Sequence, residues 1–256
     1  ALGHDSFLTG SGGLRAILGT GDDRLVHGDG LAQVLGDVGE IVQDATTFNL
    51  VLMQAPGSDA AAGLGGDDVW IGGHGLHYAL LGAGNDAATL GDSAGVVLGD
   101  FGILTLDPKV ATPVISVANG PNGDSTTWDA LSGDDTITMG QGAWQIVFGG
   151  AGSDTVTTQV EKDGTLQSVV DVNDSYFAGD YAELTFDQTQ GEMLRFVSTD
   201  AAGTALGHDS FLTGSGDLRA ILGTGDDRFV HGDGLAQVLG DVGEIVQDAT
   251  TFILTR

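Results

Sequence analysis

Eight aspartates recur at matching places in the chain: Asp5, Asp23, Asp68, Asp86, Asp135, Asp154, Asp209 and Asp227. Each lies two residues after a glycine and just ahead of a short run that favours β structure. Asp5 and Asp23 are 18 residues apart, as are Asp68 and Asp86, and Asp135 and Asp154 are 19 apart. In four cases a second aspartate precedes the first: Asp22, Asp67, Asp134 and Asp226. Carboxylates repeated on glycine turns supply the chemistry of a hard cation. Calcium takes six to eight oxygen ligands and tolerates irregular geometry, and glycine lets backbone carbonyls approach an ion closely. Without an ion, two carboxylates about 5 Å apart repel by about 1 kcal/mol even at the dielectric constant of water. At about 1 mM calcium and a Kd near 0.1 mM, each site contributes roughly 1.4 kcal/mol. The competing reading is turn chemistry alone, in which each aspartate bonds its own turn backbone and needs no ion. The Asp-Asp pairs favour the cation, because adjacent like charges are otherwise costly. All twelve of these residues are therefore candidate metal ligands.

Other reactive-looking residues carry less. Gly91-Asp-Ser93-Ala-Gly95 fits the G-x-S-x-G string, but that motif needs a strand-to-helix turn and here falls in a glycine turn, so no catalysis is expected. His4, His27, His74 and His77 occur in turns without a zinc spacing. Asp171-Val-Asn173-Asp-Ser175 begins like an EF-hand loop but lacks its glycine and closing glutamate. Trp70, Trp128 and Trp144 read as packing residues. Three Gly-Asp cassettes, GDVGEIVQD from Gly36, GDFGILTLD from Gly99 and GDYAELTFD from Gly179, read as structural turns at Asp37, Asp100 and Asp180.

The elements that must place the aspartates follow from a nine-residue period, G-G-x-G-x-D-x-U-x, where U is apolar. Residues 149–157, GGAGSDTVT, match it fully. Segments starting at residues 18, 63, 81, 130 and 222 match in part. The intervening segments keep glycines but have Ala32, His77, Gly95 and Trp144 at the aspartate position, with one extra residue at Phe148. Two nine-residue halves make a coil of about 18 residues, each half a turn plus a short strand with U inside. Coils stack through parallel strands about 4.8 Å apart. The aspartates then form a ladder on one edge, and the other edge has glycine turns without the carboxylate. Each cassette and the run after it (FNLVLMQ, TPVISVA or MLRFVST) form a β-hairpin that projects from the main body or lies on it. An insertion spans roughly Gln159–Phe177 with an Asp163-Gly164 turn.

Residues 1–52 return at 205–256 with only five differences: Gly13/Asp217, Leu25/Phe229, Asn49/Ile253, Val51/Thr255 and Leu52/Arg256. Such self-similarity signals a repeat architecture. The expectation is a window on an array of units of about 204 residues, each about ten coils less the hairpins, or on the order of 40–50 Å long. Residues 1–204 form one unit in three blocks (about 1–53, 54–120 and 121–204), and 205–256 begin the next. The formal charge of −28 argues against a nucleic-acid partner, whose phosphates it would repel. No apolar run is long enough to insert in a membrane as a helix. There is no cysteine, so stability must come from something other than disulfides.

Through 149–157 and the partial matches, the sequence resembles the repeats-in-toxin (RTX) calcium-binding β-roll repeats, as in giant tandem-repeat bacterial surface proteins. The resemblance implies an all-β parallel β-solenoid, calcium as cofactor, and an extracellular or bacterial cell-surface location. The expected function is a structural segment of a calcium-stabilised fibre, surface layer or adhesin stalk, not an enzyme. Its partners would be neighbouring repeats, with lateral or end-to-end self-association. The alternatives are an adhesin module that binds a ligand or cell, and the calcium-folding tail of a secreted RTX enzyme.

Overall fold

The computed structural model describes residues 3–56, 65–107, 114–119, 131–162, 165–168, 175–187, 191–199, 207–247 and 252–255. These form strands, turns and no helix. Sheet A stacks β1 (Ser6–Leu8), β3 (Arg24–His27), β7 (Val69–Gly72), β9 (Ala87–Leu90), β13 (Thr136–Met139), β15 (Thr155–Lys162), β20 (Ser210–Leu212) and β22 (Arg228–Val230) in that order, all parallel. Sheet B stacks β2 (Leu14–Ile17), β4 (Gly30–Leu35), β8 (Gly75–Leu80), β10 (Ser93–Leu98), β14 (Gln145–Phe148), β17 (Ser175–Ala178), β21 (Leu218–Ile221) and β23 (Ala236–Leu239), again parallel. One strand of each sheet makes a rung, and the rungs pile into a solenoid-like body. Within a pair of rungs, partners such as Ser6 and Arg24 lie directly above one another.

After every second rung the chain leaves the stack as a hairpin. These strands are β5 (Glu40–Gln43), β6 (Leu50–Ala55), β11 (Gly102–Leu106), β12 (Val114–Asn119), β18 (Ala182–Phe186), β19 (Met193–Ser198), β24 (Glu244–Gln247) and β25 (Phe252–Thr255). The hairpins do not project. They join edge to edge into one antiparallel meander, sheet C, which lies flat on sheet B. The reason is apolar alternation: Met53, Leu104, Val117, Leu184, Phe196 and Ile245 all face inward and are buried.

Sheet B is thus the middle of three layers. Along β8, β10 and β14 successive side chains point to opposite cores. Ala79, Val97 and Val147 meet sheet A, whereas Leu80, Leu98 and Phe148 meet sheet C. Strands buried on both faces read as continuous apolar runs, as in Val96-Val97-Leu98 and Ile146-Val147-Phe148. Sheet A has one wet face, and β7 alternates exposed Val69 and Ile71 with buried Trp70 and Gly72. Its inward row, Leu25, Trp70, Ala88, Ile137, Val156 and Phe211, is the U position of the nine-residue pattern.

Three details of the sequence reading change. Gly95 pairs with Gln145, so the extra residue of that rung lies in the turn 140–144 and not at Phe148, and Gln145 rather than Trp144 holds the position of His77. Six rungs, not ten, precede β20, which at the strand spacing gives about 29 Å. The hairpins take up the length assigned to the missing coils. In the insertion, β15 runs on to pair antiparallel with β16 (Thr165–Ser168). Asp163-Gly164, Asp171–Asp174 and Trp128 lie outside the described residues.

Candidate functional site: the aspartate ladder

The eight aspartates precede the sheet A strands in every rung, so parallel register puts them in one column. Each backbone N–H in that column donates to the Oδ1 of the aspartate one rung further along. Asp5 bonds Asp23 in this way, Asp23 bonds Asp68, and Asp68 bonds Asp86. The series continues through Asp135, Asp154 and Asp209 to Asp227, with distances of 2.6–3.0 Å. Six members, from Asp23 to Asp209, are at most 2% exposed. One carboxylate oxygen of each therefore replaces a sheet hydrogen bond at the turn. This is cross-rung bonding, distinct from both a bare metal site and a self-contained turn.

The preceding residues form a second, exposed column with the opposite polarity. Asp67 N–H donates back to Asp22 Oδ1 (3.1 Å), Asn85 N–H to Asp67 Oδ1 (2.8 Å) and Asp134 N–H to Asn85 Oδ1 (2.9 Å). Ser153 N–H donates to Asp134 Oδ1, and Asp226 N–H donates to His208 Nδ1 (2.9 Å). The Asp-Asp pairs are thus split: Asp22, Asp67, Asp134 and Asp226 face solvent, and their partners face inward. Alternation along an extended backbone sets the paired carboxylates on opposite sides of the strand.

The opposite edge is not free of carboxylates, as expected from the sequence, but carries a third column. Asp29 N–H donates to Ser11 Oγ, His74 N–H to Asp29 Oδ1, Asp92 N–H to His74 Nδ1, and Gln141 N–H to Asp92 Oδ1 (2.8–3.1 Å). Asp233 repeats the first contact with Ser215. The available signal was a polar acceptor directly after a glycine, as in Gly10-Ser11, Gly28-Asp29, Gly73-His74 and Gly91-Asp92. Inward of this edge the polar groups are neutral: Gln145 Nε2 donates to Gly140 O (2.7 Å), and His77 Nε2 bonds Gly73 O (3.0 Å) beside the edge of Trp70. Burial holds His77 below the usual histidine range.

The cassette aspartates reach the inner column from the hairpin side. Asp37 Oδ2 accepts the N–H of Ala83, and Asp100 Oδ2 that of Ala151, each at 2.7 Å. Asp180 Oδ2 accepts from both groups of Thr224. Each thereby clamps the glycine turn that links the two rungs of the next pair. Each also brings its charge against the ladder. Asp37 raises Asp68 and Asp86, Asp100 raises Asp135, and Asp180 raises Asp154 and Asp209. Burial is the largest cause in every case. It pushes the carboxyls of Asp68 and Asp154 up to about 8 and Asp209 up to about 9, and holds Asp86, Asp100 and Asp135 well above the carboxylate range. The second oxygen, Oδ2, of Asp23, Asp68, Asp86, Asp135, Asp154, Asp209 and Asp227 is buried and accepts no hydrogen bond.

This crowding explains the triple glycine of 149–152. Gly150 has φ +127°, and a Cβ there would stand 2.0 Å from Asp100 Oδ2. A Cβ at Gly152, also φ +127°, would stand 2.1 Å from Gly133 O. Gly150→Ala is expected to cost about 3–5 kcal/mol through combined strain and clash. Gly240→Ala, where nothing lies within 4 Å, should stay within about 0.5 kcal/mol. Equilibrium denaturant unfolding of the two variants checks both values.

The donor set suits a hard cation: carboxylate oxygens orphaned in a dry column, with glycine carbonyls stacked beside them. Among the described residues no three His, Asp or Glu already surround a common point, so an ion here would draw its remaining oxygens from the turn backbone. Ser93 opens strand β10 rather than a strand-to-helix turn. Trp70 and Trp144 pack against the two cores. Compared with family models, curated proteins and solved structures, the chain matches none. Fold and column together define an all-β, solenoid-like protein of parallel strands crossed by one continuous row of buried carboxyls.

Proposed function

We propose that this chain is a structural segment of a long extracellular calcium-stabilised repeat protein of the bacterial surface. Its units would be about 204 residues long, with RTX-like coils of about 18 residues. The observation that carries this reading is the inner column, in which buried carboxyls with one unpartnered oxygen each pass from rung to rung. Among the described residues no Lys or Arg forms an ion pair with the column. Bound calcium would supply positive charge and oxygen-seeking coordination there. The chain's own part is to hold Oδ1 in the backbone ladder and leave Oδ2 available. The duplicated segment supports the repeat, since β20–β23 continue the same two sheets.

The expected result is calcium-dependent melting. If three cassette-associated sites each contribute roughly 1.4 kcal/mol, millimolar calcium should raise Tm by about 8–16 °C over EDTA at neutral pH. Far-UV circular dichroism reads it, with magnesium as the control. Superimposable melts in calcium and EDTA would reject structural calcium.

A further inference from the structure

His77 and Ser93 take no part in the aspartate ladder and meet at the opposite edge. Ala79, Val97 and Val147 face the core between sheets A and B. His77, Ser93, Gly95 and Gln145 lie an even number of residues before them on the same strands, so they face that core too. Register stacks Gly95 directly between His77 and Gln145. Across the core Ala88 lies between Trp70 and Ile137 in the same way. The rung built from β9 and β10 thus brings glycine and alanine where its neighbours bring large side chains. At Gly95 no side chain fits: φ is +145°, and a Cβ would stand 1.8 Å from His77 O.

Four polar atoms around this rung are buried and have no hydrogen-bond partner in the chain: Trp70 Nε1, His77 Nδ1, Ser93 Oγ and Gln145 Oε1. Their residues are all at most 2% exposed. The chemistry of each atom is fixed by its surroundings. His77 Nε2 meets Gly73 O at 3.0 Å, and a carbonyl only accepts, so Nε2 carries the proton and Nδ1 of the neutral ring is an acceptor. Gln145 Nε2 donates to Gly140 O (2.7 Å) and to Ser93 O (3.1 Å), which draws the amide to Ser93 and leaves Oε1 as a second acceptor. The Trp70 indole meets the His77 ring edge to face, with centroids 5.3 Å apart, and brings an N–H donor. The Ser93 hydroxyl supplies another donor. Two acceptors and two donors without charge are the complement of a water molecule, which donates two hydrogen bonds and accepts two.

We infer that His77 Nδ1, Ser93 Oγ, Gln145 Oε1 and Trp70 Nε1 bind one internal water in the space that Gly95 leaves. The water donates to Nδ1 and Oε1 and accepts from the serine hydroxyl and the indole N–H. It ties three successive rungs together at the edge away from the aspartate ladder. The occupant is water and not a hard cation, because the indole N–H can only donate and the carboxylates of this edge, Asp29 and Asp92, are exposed on its outer column. The site stands apart from the calcium reading, and either can fail without the other.

A crystal structure of the full chain that shows ordered waters is the direct test. One density peak is expected within hydrogen-bond reach, about 3.2 Å, of His77 Nδ1, Ser93 Oγ and Gln145 Oε1. A direct bond from Ser93 Oγ to either neighbour, or no peak, overturns the site. Melting of Ser93→Ala gives an independent reading. A hydroxyl that bonds nothing can be trimmed at no cost or with a gain, whereas a water ligand should be missed, with Tm lower by about 2–4 °C in calcium and EDTA alike. In a His77→Phe background, which keeps a ring against Trp70 but has lost the acceptor, the same trimming should cost less than half as much, because the two groups share one water. If His77→Phe does not fold, Gln145→Met takes its place. An unchanged or raised Tm for Ser93→Ala, or an equal loss in both backgrounds, overturns the site as well.

Discussion

In EDTA, stability should fall steadily as pH rises from about 4 to about 9, and in millimolar calcium that fall should disappear. Asp68 and Asp154 are raised to about 8 and Asp209 to about 9, with burial the main cause. In the unfolded chain each returns to about 3.9. Above that value the unfolded state holds fewer protons than the folded one, so the slope of stability against pH is negative. The contribution is whole below about pH 4 and is lost as pH passes through the folded values. Asp22, Asp23 and Asp37 add their charge to Asp68, and Asp134 and Asp180 add theirs to Asp154, which steepens the loss. The summed effect reaches several kcal/mol, a large share of the about 5–15 kcal/mol that holds a domain. Calcium favours the ionised column and its binding releases those protons, so the calcium curve flattens or turns upward. Melting temperatures at pH 5, 7 and 9, with and without calcium, give both slopes. A calcium-free protein that becomes more stable from pH 5 to pH 9 contradicts the buried-acid reading.

The rungs of sheet A were legible because their chemistry is local. A glycine turn, an aspartate and a two-residue alternation fix which side chain enters the core, and Leu25, Trp70, Ile137 and Val156 all enter it. Sheet C was legible as hairpins but not as a layer. Pairing such as Gly102 with Ala55 or Ser116 with Thr185 joins residues from different hairpins, and no local pattern specifies it. Its trace was indirect: Val97 and Leu98, or Val147 and Phe148, would expose one of each pair unless a third layer covered it. The slip at Gln145 was hidden because Trp144 and Gln145 both fit a turn.

At the site, the sequence identified which aspartates align but not what their two oxygens do. Oδ1 is committed to the next rung's N–H, a bond that exists only once rungs are stacked. The convergence of Asp100 with Asp135 and Asp154 depends on β10 stacking against β14, which sets Asp100 beside the 149–151 turn, so Asp100 read as an ordinary turn residue. The exposed columns were missed for a related reason. The nine-residue pattern marks core and turn positions, whereas the acceptors at Asp29, His74 and Asp92 answer turn N–H groups of a neighbouring rung.

Replacing the two central acids by their amides should reverse sign with calcium. In Asp135→Asn/Asp154→Asn an amide oxygen can still accept the ladder N–H of Asp86 and Asp135. The second oxygen becomes a neutral NH2 that neither ionises nor repels Asp100. In EDTA at pH 8 the variant is therefore expected to gain about 2 kcal/mol, or about 4–8 °C in Tm. In calcium it should lose most of the metal-induced rise, because an amide nitrogen is no ligand for a hard cation. Asp134→Asn, on the exposed column beside the same turn, should change neither condition by more than about 0.5 kcal/mol. His77→Ala should cost packing against Trp70 equally with and without calcium. A role confined to backbone bonding predicts that the double amide is neutral in both buffers, since Oδ1 is kept. Only a column that must be either protonated or metal-bound predicts stabilisation in one buffer and destabilisation in the other.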